Sequence, residues 1–259
     1  MKGKVIWITG ASSGLGKDMA LEAGKKGATV VLLARRIDKL REVEQKIKEA
    51  GGDAFSFQLD MSNIDQLISE IQSIMIEVGH IDVLINNAGF GIFEHLVDVN
   101  IEVMKDMFNV NVIGLMALTK LIVPHMIKKN GGHIINIASQ AGKLATPKAS
   151  VYSASKHAVI GFTNSLRMEL EPHHILVSAV NPGPIQTDFF TRADEQGSYA
   201  KNVEKWMLQS HTVAKKVIQL IEKPKRELNL PYWMGLGSTM YQVFPALVER
   251  IAGKKLRQK

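Results

Sequence analysis

Short apolar runs alternate with longer stretches of helical period along most of the chain. Val5 to Ile8, Thr29 to Leu33, Ala54 to Gln58, Asp82 to Ile85, His133 to Ala138 and Leu176 to Val180 are each short and mostly apolar, and read as strands. Between them lie segments of helical pattern: Leu15 to about Lys26, Ile37 to Ala50 closed by Gly51-Gly52, Asn63 to Val78, Ile101 to about Lys129, and Val151 to Glu169. A further helix is predicted over Val213 to Ile221 and a last strand over Glu227 to Leu230. Strands that alternate with helices predict an α/β fold, a doubly wound parallel sheet in a single domain. Such a sheet carries its site at the carboxyl ends of its strands. The 259 residues can bury one substantial core, and no repeat or linker divides them. Residues 1–235 read as the catalytic domain with its substrate lid, and 236–259 as an amphipathic and basic extension.

The predicted strand ends hold the polar residues. The first strand runs into Thr9-Gly10-Ala11-Ser12-Ser13-Gly14-Leu15-Gly16 and then a helix. Gly10 would permit a tight turn, and Gly14 and Gly16 would let backbone and helix start approach a phosphate. The second strand ends in Ala34-Arg35-Arg36. An acid at that place would bind ribose hydroxyls, whereas two guanidiniums suit a 2′-phosphate and hence NADP(H). The same arginines could also be solvated loop charges. Asp60, after the third strand, could cap the next helix or bind adenine. Asn86-Asn87-Ala88-Gly89 closes the fourth strand with small and amide groups that let something pack on the backbone, or simply make a turn. Asn111, inside an apolar helix, is either a satisfied core amide or a site residue. Ser139 ends the fifth strand, and Asn181-Pro182-Gly183-Pro184-Ile185-Gln186-Thr187 follows the sixth. Tyr152 and Lys156, four residues apart, share one helix face, which puts an ammonium within reach of a phenol and favours the phenolate.

These pieces, in this order and spacing over about residues 4 to 190, resemble the short-chain dehydrogenase/reductase family, whose fold is Rossmann-like. The resemblance implies that Tyr152 is the general acid–base residue. It implies that Lys156 bonds the nicotinamide ribose and lowers the Tyr152 pKa, that Ser139 orients the substrate oxygen, and that Asn111 holds a water of the proton relay. Cofactor contacts implied are Thr9, Gly10, Ser12, Ser13, Gly14, Leu15 and Gly16 around the phosphates and adenosine. Asp60 and Met61 would meet adenine, and Asn87, Ala88 and Gly89 the ribose region. Pro182, Gly183, Ile185 and Thr187 would lie toward the carboxamide. The expected activity is NADP(H)-dependent hydride transfer between nicotinamide and a small-molecule carbonyl or secondary alcohol. A 3-oxoacyl-thioester reductase, or a cofactor-binding scaffold without turnover, are the alternatives, and a homodimer or homotetramer is implied.

Composition narrows this little. There is no cysteine, which excludes disulfides and thiolate chemistry. No apolar leader precedes the first strand and no uninterrupted apolar run reaches a membrane span, so a cytoplasmic protein is expected. The formal net charge is +7, and Glu249 to Lys259 carries five basic residues against one acid. No basic face with interleaved aromatics points to nucleic acid. Phe189, Phe190, Trp206 and Met207 are candidates for an apolar substrate lid, with Gly197-Ser198 a flexible point in it, or else core and oligomer contacts. Met240, Val243, Phe244, Leu247, Val248 and Ile251 recur at helical spacing before the basic end. Pro245 would kink this helix or start a new one. The stripe is similar to the tails of dehydrogenase/reductase member 7-like proteins that work near membranes. It fits peripheral contact with an anionic membrane or an oligomer interface.

Overall fold

The structure is a computed structural model that describes residues 1–194, 201 and 203–257. Its strands are β1 (Val5–Thr9), β2 (Thr29–Ala34), β3 (Asp53–Gln58), β4 (Val83–Asn86), β5 (Gly132–Ile137), β6 (Ile175–Pro182), β7 (Ile185–Gln186), β8 (Leu208–Gln209) and β9 (Glu227–Leu230). Seven of them form one parallel sheet in the order β3-β2-β1-β4-β5-β6-β9, and β7 pairs with β8 beside it. The helices are α1 (Gly14–Lys25), α2 (Ile37–Glu49), α3 (Ile64–Val78), α4 (Ile101–Phe108), α5 (Leu115–Lys128), α6 (Ser150–Leu170), α7 (Phe189–Ala193), α8 (Ser210–Glu222), α9 (Tyr232–Val243) and α10 (Pro245–Arg257). The chain is thus a single-domain α/β protein with a Rossmann-like sheet.

The central strands are apolar on both faces because both are covered, whereas the edge strands β3 and β9 are only partly buried. Ile6 and Ile8 of β1 and Val30 and Leu32 of β2 enter one core with Met19 of α1, Leu40 of α2 and Val217 of α8. Trp7, Val31 and Leu33 point the other way, into a second core with Leu67 of α3, Ile122 of α5 and Leu166 of α6. Strand order reverses between β1's neighbours β2 and β4, and a crevice opens there at the carboxyl ends.

Ile101–Lys128 is one continuous helical stretch of 28 residues, long and apolar enough in composition to cross a membrane. It is not an uninterrupted apolar run, since Glu102, Lys105, Asp106 and Lys120 interrupt it, and it follows the long helical stretch expected over Ile101 to about Lys129. Its apolarity has a packing reason, since Leu118, Ile122 and Met126 are wholly buried against the sheet. Asn63, and not Asp60, caps α3: its side chain accepts from Gln66 N at 3.1 Å. Asp60 instead accepts from Ser62 N and Oγ at 2.9 and 2.8 Å in a tight local turn. Pro245 starts a new helix, α10, as one of its two expected roles. Gly197 and Ser198 lie outside the described residues.

A buried histidine sets an acid limit on this core. His133 Nε2 lies 2.8 Å from Ser178 Oγ, whose own hydrogen goes to Lys225 O at 2.6 Å. Nε2 must therefore carry the proton, and the buried Nδ1 has no acceptor to offer a second one. Burial lowers the His133 pKa to about 4. Between that value and the ordinary one near 6.5, the unfolded chain takes up a proton that the folded chain refuses, so stability falls as pH falls. From pH 7 to about 4.5 the loss from this group is about 2–3 kcal/mol. In His133→Gln it is absent, so the stability gap to the parent, from urea midpoints, should narrow by that amount. An unchanged gap would refute the assignment.

Candidate active site

The carboxyl ends of β1, β2 and β4 to β6 surround a cavity of about 920 Å³. At one end lies the turn between β1 and α1. Gly10 has φ +67°, and a Cβ there would sit 2.9 Å from Asn87 Nδ2. A Cβ on Gly16 would come within 2.2 Å of Gly10 O, so α1 meets the turn at a distance only glycine allows. Ser13, at the N-cap of α1, makes no side-chain cap bond, and the first turn of the helix holds no acid. The helix start therefore presents backbone N–H groups without a local anion. Arg36 reaches back over this turn, its Nη2 donating to Ser12 Oγ at 3.1 Å and Ser13 Oγ at 2.8 Å. Arg35 lines the same end, and β2 closes on Ala34, with no carboxylate there. A cradle of this shape with two guanidiniums beside it could hold the phosphates of a dinucleotide.

Most of the residues expected at a cofactor site come together here. Ser12, Ser13, Gly14 and Leu15 line the cavity beside Gly10 and Gly16, Asp60 and Met61 follow β3, and Asn87, Ala88 and Gly89 follow β4. Pro182, Gly183, Ile185 and Thr187 form the side toward β6 and β7. Thr9 stands apart, behind the wall. It is buried, and its Oγ1 accepts from Asn87 N and Ala88 N, both at 2.9 Å, while Asn87 Nδ2 returns a bond to Thr9 O at 2.9 Å. Thr9 thereby holds two strand-end turns together.

At the other end, α6 presents Tyr152 and Lys156, both lining the cavity. Lys156 is buried, its Nζ donates to Ile137 O at 2.9 Å, and it lies 5.8 Å from the centre of the Tyr152 ring. Burial pulls its pKa down to about 8, so the ammonium persists at neutral pH and is lost in mild alkali. Ser139 lies two residues beyond the end of β5 and caps a short turn, accepting from Ala141 N at 3.1 Å. Its hydroxyl lies 3.5 Å from Pro182 O, too long for a strong bond, which leaves its hydrogen ready to turn to another acceptor.

Asn111 does not line the cavity. It sits in a π-helical segment, Asn109–Gly114, between α4 and α5. Its amide makes a two-way bond with the Phe90 backbone, accepting from N at 2.9 Å and donating to O at 2.8 Å, and donates to Ser155 Oγ at 3.1 Å. Both amide hydrogens are spent, so its side chain pins the segment after β4 against α6.

Other contributors carried weaker signals. Phe93 packs edge-on to Tyr152 at 5.6 Å between ring centres and also contacts Phe189 and Phe190 of the expected lid. Its N–H donates to Ala193 O at 2.7 Å, tying the post-β4 segment to α7. Trp206 lines the cavity, whereas Met207 packs in the aromatic cluster behind it. Beneath the site, Asn86 donates to Thr119 and Asn136, and Asn136 donates to Thr163, at 2.9–3.0 Å. This buried chain braces β4 and β5 against α5 and α6. Its sequence signal was an asparagine inside the apolar run His133 to Ala138.

Known proteins share this arrangement. A family model for short chain dehydrogenases matches residues 4–197. Dehydrogenase/reductase SDR family member 7 of Mus musculus is 37% identical over 194 residues, 73% of this chain and 57% of that protein. The chain thus spans little more than half the length of such curated relatives. Among solved structures, a short chain dehydrogenase/reductase from Burkholderia phymatum in complex with NAD superposes with TM-score 0.87 at 25% identity, covering 95% of each chain. A variant of actinorhodin polyketide ketoreductase with NADPH superposes with TM-score 0.81 at 30% identity, covering 89% of this chain and 97% of that one. With three-quarters of its length matched by the family model and the sheet, glycine turn and Tyr152–Lys156 pair in one cavity, the chain belongs to the short chain dehydrogenase family.

Proposed function

We propose that the protein is an NADP(H)-dependent oxidoreductase that interconverts a carbonyl compound and a secondary alcohol, with Tyr152 as general acid–base. One observation carries this reading: Ser139, Tyr152 and Lys156 line the same cavity as the glycine turn and its two arginines. The nicotinamide cofactor would supply or accept the hydride. Ser139 and Tyr152 donate hydrogen bonds to the substrate oxygen as negative charge builds on it, and the Tyr152 hydroxyl delivers the proton. The Lys156 ammonium stabilises the phenolate left behind. Thr9 and Asn111 hold the walls through their bonds to the segment after β4. A homodimer or homotetramer is part of the reading, and sedimentation velocity tests it.

The cofactor assignment rests on Arg35 and Arg36, since β2 ends without the acid that would favour an unphosphorylated ribose. Paired fluorescence titrations should show tighter binding of NADPH than of NADH. Arg36→Ala should weaken NADPH roughly tenfold or more and leave NADH nearly unchanged, because only the phosphate uses charge-assisted bonds there. Preference for NADH in the parent protein would sink the assignment. A 3-oxoacyl-thioester reductase is the second reading, favoured by the structural likeness to a polyketide ketoreductase. Turnover of a 3-oxoacyl thioester well above that of simple ketones would select it.

A further inference from the structure

The helices that follow β9 leave an unusual surface. α9 runs for 12 residues without one charged side chain, yet Tyr232, Trp233, Leu236, Met240 and Val243 are each more than half exposed. Phe244 continues the surface into α10, where Leu247 is 51% and Ile251 76% exposed. Water-facing helices normally carry charge, so a neutral apolar face of this length calls for a covering. Tyr241 donates to Glu249 at 2.9 Å, joining α9 and α10 into one hairpin and occupying the acid nearest the basic end of the chain.

The hairpin also borders the cavity. Trp233, Met234 and Val248 line it, and Trp206, which lines it too, meets Trp233 edge-on with ring centres 5.3 Å apart. The apolar outer face is therefore continuous with the cavity wall through Trp233, which belongs to both.

We infer that α9 and α10 form a docking hairpin that seats the cavity mouth on an anionic lipid bilayer, so that an apolar carbonyl substrate enters from the lipid. The substrate half of this rests on the oxidoreductase reading; the docking half does not. Charge selects the occupant. The sequence from Glu249 onward holds Arg250, Lys254, Lys255, Arg257 and Lys259 against the single acid Glu249. A second copy carries the same basic excess and supplies no acid in this segment beyond Glu249, whereas anionic headgroups complement it. Exposed tryptophan and tyrosine rings beside an apolar stripe suit the boundary between headgroup and acyl chain.

The test uses the full chain, without cofactor or substrate, and vesicles of phosphatidylcholine with and without phosphatidylglycerol. Trp7 is fully buried, so a shift in tryptophan emission reports Trp206 and Trp233. Cosedimentation with the anionic vesicles and a blue shift are expected. Affinity should rise about fivefold for each basic residue that reaches the anionic surface, and this gain should fall with salt. The paired substitutions Leu236→Asp and Leu247→Asp, at exposed positions outside the cavity lining, should weaken vesicle binding roughly tenfold or more. Failure of the parent to bind anionic vesicles overturns the inference. So does equal binding by the double variant. A dimer that the double variant dissolves, without vesicle binding by either protein, assigns the face to a second copy. An NADPH titration of both proteins keeps the two readings separate. Vesicle binding without nucleotide binding preserves the hairpin and removes the oxidoreductase reading, and nucleotide binding without vesicle binding does the reverse.

Discussion

Tyr152→Phe is expected to lower turnover by ~10²–10⁴ while NADPH binding and folding stay close to those of the parent. The substitution removes one oxygen and keeps the ring. That ring is what Phe93 and Phe189 touch, at 5.6 and 5.8 Å between centres, so the aromatic cluster around position 152 is preserved. The lost group is the one that would pass the proton to the substrate oxygen. Ser139 remains as a donor and supplies residual stabilisation of the developing charge, which sets the lower end of the range. The fall should therefore appear in kcat, with little change in the nucleotide dissociation constant, since the phosphate cradle is at the far end of the cavity. Steady-state rates with NADPH and a responsive ketone, together with a fluorescence titration and a thermal melt, are sufficient. Unchanged kcat in the folded variant would remove Tyr152 from the mechanism.

The sheet was legible because its central strands are buried on both faces. Continuous apolar runs such as Trp7-Ile8 and Val30 to Leu33 have no other use in a chain of this kind, and each lies in the central sheet. Boundaries moved by a residue or two where hydrogen bonding, and not hydrophobicity, decides them. β6 extends to Pro182, for example, because its end still pairs with Leu230. Residues whose chemistry depends on being at a strand end or on one helix face were also legible, and Ser139, Tyr152 and Lys156 do line one cavity. What spacing could not reveal is whether a polar group faces the cavity or stands behind its wall. Thr9 and Asn111 are both spent on backbone groups of the segment after β4, a contact made across 78 and 21 positions of sequence. Phe93 was hidden for a similar reason, since nothing in its neighbours announces that it will meet a tyrosine 59 positions later. The exposed face of α9 was half legible. Its apolar stripe was visible, but stripes usually bury, and only the fold shows that this one is left outside.

Lys156→Met should lower the plateau of carbonyl reduction by roughly 10² and remove the alkaline limb of the pH profile near 8. The reason lies in the coupling of two groups. An ammonium 5.8 Å from the ring centre of the phenol is worth about 2–3 kcal/mol to a phenolate charge at that separation and an effective dielectric constant near 20, which is the stated factor in rate. Reduction needs the phenol proton and the lysine charge together, so activity should decline as pH rises through the value near 8 to which burial draws Lys156. With methionine the charge is gone at every pH. The limb near 8 then disappears with the group that set it, while the maximum rate drops. Lys156→Arg separates charge from hydrogen bonding, because a guanidinium stays charged throughout this range. It should likewise lack the limb near 8 while recovering part of the rate that methionine loses. A stability effect of opposite sign accompanies this. Folded Lys156 gives up its proton before unfolded lysine does, so the parent gains stability between about pH 8 and 10.5, a gain absent from the methionine variant. If Lys156→Met kept both the parent's plateau and its limb near 8, the pair would not be the unit that carries the proton. Loss of rate with the limb still near 8 would assign that ionisation to another group and leave Lys156 only a part in holding cofactor through its place beside Ile137 O.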